Sequence, residues 1–191
     1  MQLILASGSP RRRQLLAEAG YQFNVAPPDE GAETVPGEQL SARELVAALA
    51  FQKAANVAAR TESGLVLAAD TLAECRGEIL GKPHDRADAR RILEQLSGQV
   101  HFVHTGVCLW RRPDDHKSTQ TVTTELEMAR MTDRQIEEYL DSGQWQGKAG
   151  AFGYQDGIDW VTIRKGSASN VVGLPMDELA QMLADAGFRK S

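Results

Sequence analysis

Cysteine is nearly absent from this sequence. Cys75 and Cys108 are the only two, far apart and outside any C-x-x-C spacing. That excludes a disulfide framework and leaves two reduced, partly buried thiols as the expectation. The four histidines show no zinc-type spacing; His101 and His104, three apart on a β-rich run, point to opposite faces of a strand. No apolar run approaches the length of a membrane span. The N-terminus lacks a signal peptide's basic region, apolar stretch and cleavage site, so a cytoplasmic protein with no membrane partner is expected. G-x-S-x-G is missing, which removes support for a serine hydrolase, and so are the Walker A and G-x-G-x-x-G patterns. Positive charge is in deficit: 21 Lys and Arg face 26 Asp and Glu, a formal charge of −5. A general nucleic-acid binder is disfavoured by that balance, although a local basic pocket is compatible with it. No 20–50-residue repeat and no low-complexity tract is present.

What is there suffices for a real core. Of 191 residues, 42% are hydrophobic and 25% charged, the range of ordinary globular proteins. The length predicts one domain over residues 1–191, with room for two lobes. Leu3–Ala6 reads as a short strand and Ser7-Gly8-Ser9 as a small flexible link. Pro10 suits the first position of a helix capped by Ser9 and stopped at Gly20. Ser41 suits the cap of a long helix. "LVLAAD" (65–70) reads as a buried strand, and Arg76-Gly77 as a turn between two short strands. Asp85 and Asp88 form a capping pair for a helix ended by Ser97-Gly98. From Val100 to Arg130 the sequence reads as a long hairpin around "RPDDHK". A helix capped by Thr132, a glycine-rich stretch, a strand at "DWVTIRK" and a helix after Pro175 follow. Helices interleaved with strands, with a long hairpin among them, predict an α/β fold with a mixed sheet.

Four features look out of place. Arg11, Arg12 and Arg13 crowd the first turn of a helix, the end that already carries partial positive charge. Three consecutive helical residues spread over roughly 200°, so at most two of them face one ligand. They form either a solvated surface or, with the free N–H groups of a strand–loop–helix unit, an anion site. Lys53 continues the apolar stripe of Leu45, Val46, Leu49, Ala50 and Val57; it must snorkel to water or meet an anion. Asp70 ends an apolar strand, at the edge where ligand sites of α/β sheets gather, or else it merely turns the chain into Thr71. "GKAGAFGYQDG" allows a backbone to approach a flat ligand closely, or is simply a tight loop.

Taken in order, the stretches "LILASGSPRRRQLL", "FQKA", "AADT", "GEILGKP", "LSGQVHFVHTGV", "GKAGAFGYQ" and "NVVGLPM" resemble the Maf family of nucleoside triphosphate pyrophosphatases over nearly the whole chain. The resemblance implies a mixed, strongly twisted sheet with flanking helices and two lobes around a central cleft, related to the inosine-triphosphate pyrophosphatases. It implies hydrolysis of a nucleoside triphosphate to the monophosphate and pyrophosphate in house-cleaning of the nucleotide pool, with a divalent cation, Mg²⁺ or Mn²⁺. Family members are commonly dimeric, which leaves a homodimer open here.

By position, the resemblance makes Asp70 the proton acceptor. It places Ser9, Arg12, Lys53 and Lys82 along the phosphates. It associates Arg11, Thr71 and Gln155 with substrate choice, and these three residues resemble the dTTP/UTP subfamily. The 7-methyl-GTP relatives tend to show an aromatic, a Gln and a Glu instead. The family's short acidic motif falls in "PPDEGAETV", where either Glu30 or Glu33 could take the acidic, metal-facing role beside Asp70; spacing leans to Glu33. Tyr154 stands where the family often has Ile. A 7-methyl-GTP pyrophosphatase, a non-hydrolysing nucleotide-binding regulator and a nucleic-acid binder using the arginine cluster are the alternatives.

Overall fold

A computed structural model of the chain describes residues 1–34, 40–154 and 159–190. Its elements run β1 (Leu3–Leu5), α1 (Pro10–Glu18), β2 (Phe23–Val25), α2 (Ala42–Ala58), β3 (Gly64–Cys75), β4 (Glu78–Leu80), α3 (Arg86–Leu96), β5 (Val100–Arg112), β6 (His116–Met128), α4 (Asp133–Asp141), β7 (Val161–Lys165), α5 (Ala168–Val172) and α6 (Met176–Asp185). The strands form a seven-stranded sheet in the order β2-β1-β3-β5-β6-β7, with β4 also paired to β3. Parallel pairing of β1 with β2 and β3 and antiparallel pairing of β3 with β4 and of β6 with β7 make it the expected mixed sheet. Among the described residues no helix is long and apolar enough to cross a membrane.

The chain divides into two compact units: Met1–Asp70, Thr105–Val122 and Gly173–Ser191 form the first; Thr71–His104 and Thr123–Val172 form the second. In the first unit both sheet faces are covered. Leu3, Leu5, Leu65, Leu67, Val107 and Leu109 pack against Leu16 of α1 and Leu179, Met182 and Leu183 of α6. Val66, Ala68 and Cys108, on the other face, pack against Ala50, Ala54 and Val57 of α2. The strict alternation 65/67 against 66/68 is the period of two expected of a strand buried on both sides.

In the second unit the core lies on one face. Ala73, Cys75, Val103, Leu126 and Met128 meet Ile92, Leu93 and Leu96 of α3 and Ile136, Tyr139 and Leu140 of α4. Leu72 and Glu74, pointing the other way from β3, stay half-buried. Cys75 and Cys108 are both free and buried, and burial raises both thiol pKa values.

Local chemistry explains most boundaries. Ser41 and Glu44 form a reciprocal capping box on α2, and Thr132 with Gln135 does the same on α4. Asp85 caps α3 through the Asp88 amide. Arg76 and Gly77 take the two left-handed positions of the β3–β4 turn.

Two expectations fail. Ser9 occupies the cap position of α1, but its side chain makes no cap bond. The strand holding Asp70 does not end there: it runs on to Cys75, because after β1 stops pairing at Leu67 the strand takes β4 as its partner from Ala73. Among the histidines, His104 has its Nδ1 2.9 Å from Thr123 Oγ1 and its Nε2 3.2 Å from a Glu74 carboxylate oxygen. Ser167 caps α5, its Oγ accepting from the Asn170 amide at 3.3 Å.

Candidate active site

The first unit brings four of the singled-out side chains to one place. Strand β3 positions the first. The register between β1 and β3 ends at Leu5↔Leu67, so three residues later Asp70 stands where that neighbour is gone. The opening resembles a strand's end even though the strand continues. The carboxylate is 13% exposed.

Helix α2 supplies the second. Its stripe buries Val46, Leu49, Ala50, Ala54 and Val57, and Lys53, within that stripe, is 11% exposed. The lysine does not snorkel. Its Nζ lies 2.5 Å from Asp70 Oδ1 and 3.2 Å from Glu33 Oε2. Gly106 of β5 sets the height of this helix. A Cβ there would stand 2.2 Å from the Val46 carbonyl oxygen, so the α2 backbone rests directly on a strand glycine.

Glu33 arrives through a fastening that the sequence conceals. The Thr34 amide donates to Gln52 Oε1 at 2.8 Å, and Gln52 Nε2 donates back to the Thr34 carbonyl at 3.0 Å. One turn further, Asn56 Oδ1 accepts from the Asp29 amide. One turn beyond that, Arg60 holds the Asp29 carboxylate and the Pro27 carbonyl. Residues 52 and 56 share one face of α2, and with Arg60 just past its end they lay the segment 27–34 along the helix. Of the two candidate acids, Glu33 is the one beside Lys53.

Arginine 12 is the fourth group. Its Nε donates to the Gly173 carbonyl at 2.8 Å and its Nη1 to Ser7 Oγ at 3.2 Å. Ser7 is 5% exposed, and its hydroxyl also accepts from the Ser9 amide at 3.2 Å. The "SGS" link is therefore a built turn rather than a flexible one. Both anchors are neutral acceptors, so they aim the guanidinium without cancelling its charge. Burial lowers the Arg12 pKa, Asp70 opposes that, Arg11 adds to it and Glu33 opposes it again. Those couplings place two carboxylates and a second arginine in the electrostatic reach of Arg12. Arginine stays charged throughout.

Of the other residues singled out, Ser9 precedes α1 and is half-buried, Arg11 is half-buried and Arg13 exposed. Thr71 follows Asp70 on β3 and belongs to the second unit, as does Lys82, which is exposed after β4. Gln155 lies outside the described residues. Sequence reasoning missed Ser7 and Gly173 as anchors. The signal for Gly173 was its place in "NVVGLPM"; with φ at +121° it holds a conformation suited to glycine.

Lys53 joins two carboxylates, and Arg12, in the first turn of α1, lies within electrostatic reach of both, an arrangement suited to a polyanion with an oxygen-loving cation. A family model described as Maf-like protein matches residues 2–186. The chain belongs to the Maf family. Among relatives, a dTTP/UTP pyrophosphatase of Rhodopirellula baltica is 57% identical over 182 residues, 95% of this Maf chain and 80% of the relative. One of Vibrio vulnificus is 45% identical over 183 residues, 95% of this chain and 96% of the other. A HAM1 protein of Coxiella burnetii has the same fold at a TM-score of 0.55 and 18% identity, over 97% of this Maf chain and 99% of that one.

Proposed function

We propose that this chain is a nucleoside triphosphate pyrophosphatase that hydrolyses dTTP and UTP to the monophosphate and pyrophosphate. One observation carries the site: largely buried Lys53 pairs with largely buried Asp70 and with the half-exposed Glu33, and Arg12 feels both carboxylates. The pyrimidine preference is supported by the names of the relatives and by Arg11, Thr71 and Gln155.

The chemistry asks little covalent work of the protein; it asks for positioning and for charge of the right sign. Arg12, anchored through Nε and one Nη, directs its guanidinium charge at phosphate oxygens, and Lys53 adds a point charge beside it. Ser9 and the opening turn of α1 contribute backbone dipoles. Asp70 orients the attacking water and accepts its proton. Asp70 and Glu33 suit a hard divalent cation, since both offer carboxylate oxygens and both already converge on one positive charge, the Lys53 ammonium. When bound, Mg²⁺ or Mn²⁺ neutralises phosphate charge and acidifies bound water. The roles implied for Lys82 in phosphate contact and for Thr71 and Gln155 in substrate choice are proposed unchanged, as is a cytoplasmic site of action.

The test is a panel of dTTP, UTP, CTP and 7-methyl-GTP with Mg²⁺ or Mn²⁺, scored for which is consumed and whether pyrophosphate or single phosphate appears. Consumption of dTTP and UTP with pyrophosphate release is expected. Preference for 7-methyl-GTP, or binding without turnover, overturns the reading. Gln155→Glu removes an amide donor and is expected to lower the preference for UTP; an unchanged ranking refutes that role.

A further inference from the structure

We propose that Lys53 is a resident counter-ion that keeps a divalent cation off Asp70 and Glu33 until a polyphosphate draws its ammonium away. Metal and nucleotide then bind as one linked event. The inference rests on the pyrophosphatase reading and adds an order of assembly to it.

The argument starts with what holds Lys53 in place. Its stem lies in the buried stripe of α2 between Leu49, Ala50, Ala54 and Val57, and the helix backbone sits directly on Gly106. The side chain therefore has little room to leave for water. Its ammonium already meets the two groups best suited to a hard cation, 2.5 Å from Asp70 and 3.2 Å from Glu33. A divalent ion accepted by the same carboxylates would come within contact distance of a fixed positive charge. Like charges at that range oppose one another, most strongly at Asp70, which like Lys53 is largely out of water, and less at Glu33, whose side chain is 42% exposed. The fixed charge of Arg12 adds to the opposition.

A triphosphate changes the balance. Its several charged oxygens offer the ammonium an alternative to the two carboxylates it now meets, and the last bonds of a lysine stem turn without moving the helix. Once Lys53 faces phosphate, Asp70 and Glu33 are released to a metal that the same phosphates also attract. The coupling is reciprocal by thermodynamic necessity. The free protein is thus a poor metal binder by construction, and it does not accumulate the ion without substrate.

The experiment measures Mn²⁺ binding by electron paramagnetic resonance on the full-length protein, alone and with the non-hydrolysable α,β-imido analogue of dUTP. Wild type is expected to bind Mn²⁺ weakly alone and at least tenfold more tightly in the ternary complex. Lys53→Met is expected to raise Mn²⁺ affinity of the nucleotide-free protein about tenfold while weakening the analogue. Adding Asp70→Asn to Lys53→Met should erase that gain. A merely structural lysine gives the opposite sign, because a loosened site holds every ligand less well. Should Lys53→Met fail to fold, Lys53→Gln, which keeps a donor without the charge, gives the same readout. Mn²⁺ affinity unchanged or lowered in a folded Lys53 variant overturns the inference. If that happens while dTTP still turns over in wild type, the pyrophosphatase reading stands. Absence of turnover on every nucleotide fails that reading alone.

Discussion

Two charge clusters in this molecule each set a cation against an aspartate at the same separation and differ sharply in their exposure to water. In the first unit Lys53 meets Asp70 at 2.5 Å, with the side chains 11% and 13% exposed. In the second, Arg86 of α3 meets Asp141 of α4, also at 2.5 Å, with exposures of 47% and 72%. Arg86 and Arg90 share Glu137, and Arg90 also reaches Glu94 and Asp133. Hydrogen bonds from Arg86 hold the Glu137 carboxyl below its usual range. Distance does not separate the clusters; water does. On the α3–α4 surface solvent screens each charge and the bridges fix little. Lys53 and Asp70 have largely left water and feel one another with less screening, a cost a fold sustains where chemistry requires it.

Substitutions sharpen that contrast, beginning with the largest effect. Asp70→Asn keeps the shape and removes the base; kcat is expected to fall about 10³-fold, with nucleotide affinity by calorimetry in metal-free buffer changed only a few-fold. Equal loss of both would make Asp70 a structural residue and break the comparison.

Next is a buried group outside the site. His101 is fully buried, with its ring edge-on to Phe152, and burial pushes its pKa down to about 4. The unfolded chain takes up this proton near pH 6.5 and the folded chain only near 4. The stabilisation is therefore complete above about 6.5 and is lost as pH falls toward 4, about 3 kcal/mol in all. Urea midpoints of His101→Leu across that window should show a shallower acid slope than wild type; parallel slopes would refute it.

Smaller still is Gly173→Ala. It strains a backbone held at φ +121° and so disturbs the carbonyl that anchors Arg12. A cost of about 1–2 kcal/mol is expected, read as a rise in KM of about tenfold with kcat less affected. The smallest effect belongs to Glu137→Gln, which cuts the surface network and should leave kcat within about twofold. A large loss there would mean that the exposed cluster is more than a solvated face.

Much of this was legible beforehand, for reasons that can be named. Capping boxes at Ser41 and Thr132 and the left-handed turn at Arg76-Gly77 are local chemistry, written in adjacent residues. Lys53 inside an apolar stripe is a conflict visible in one helix, and its partners are the anions that conflict demanded. Long-range matters were not visible. That Asp70 lies mid-strand depends on where β1 stops and β4 begins. The choice of Glu33 depends on Gln52, Asn56 and Arg60 gripping a loop from another part of the chain. Gly173 becomes an anchor of Arg12 only when residues 161 positions apart meet. His104 looked solitary because Glu74 and Thr123 reach it from other strands.

The bare hydrogen of Gly106 under the Val46 carbonyl has a consequence for redesign. Side-chain packing can be rewritten by compensating swaps, but a main-chain seat cannot. The solvent face of α2 can thus absorb wide change, while the elevation of its lysine above the carboxylate stays locked by an atom that no substitution can replace.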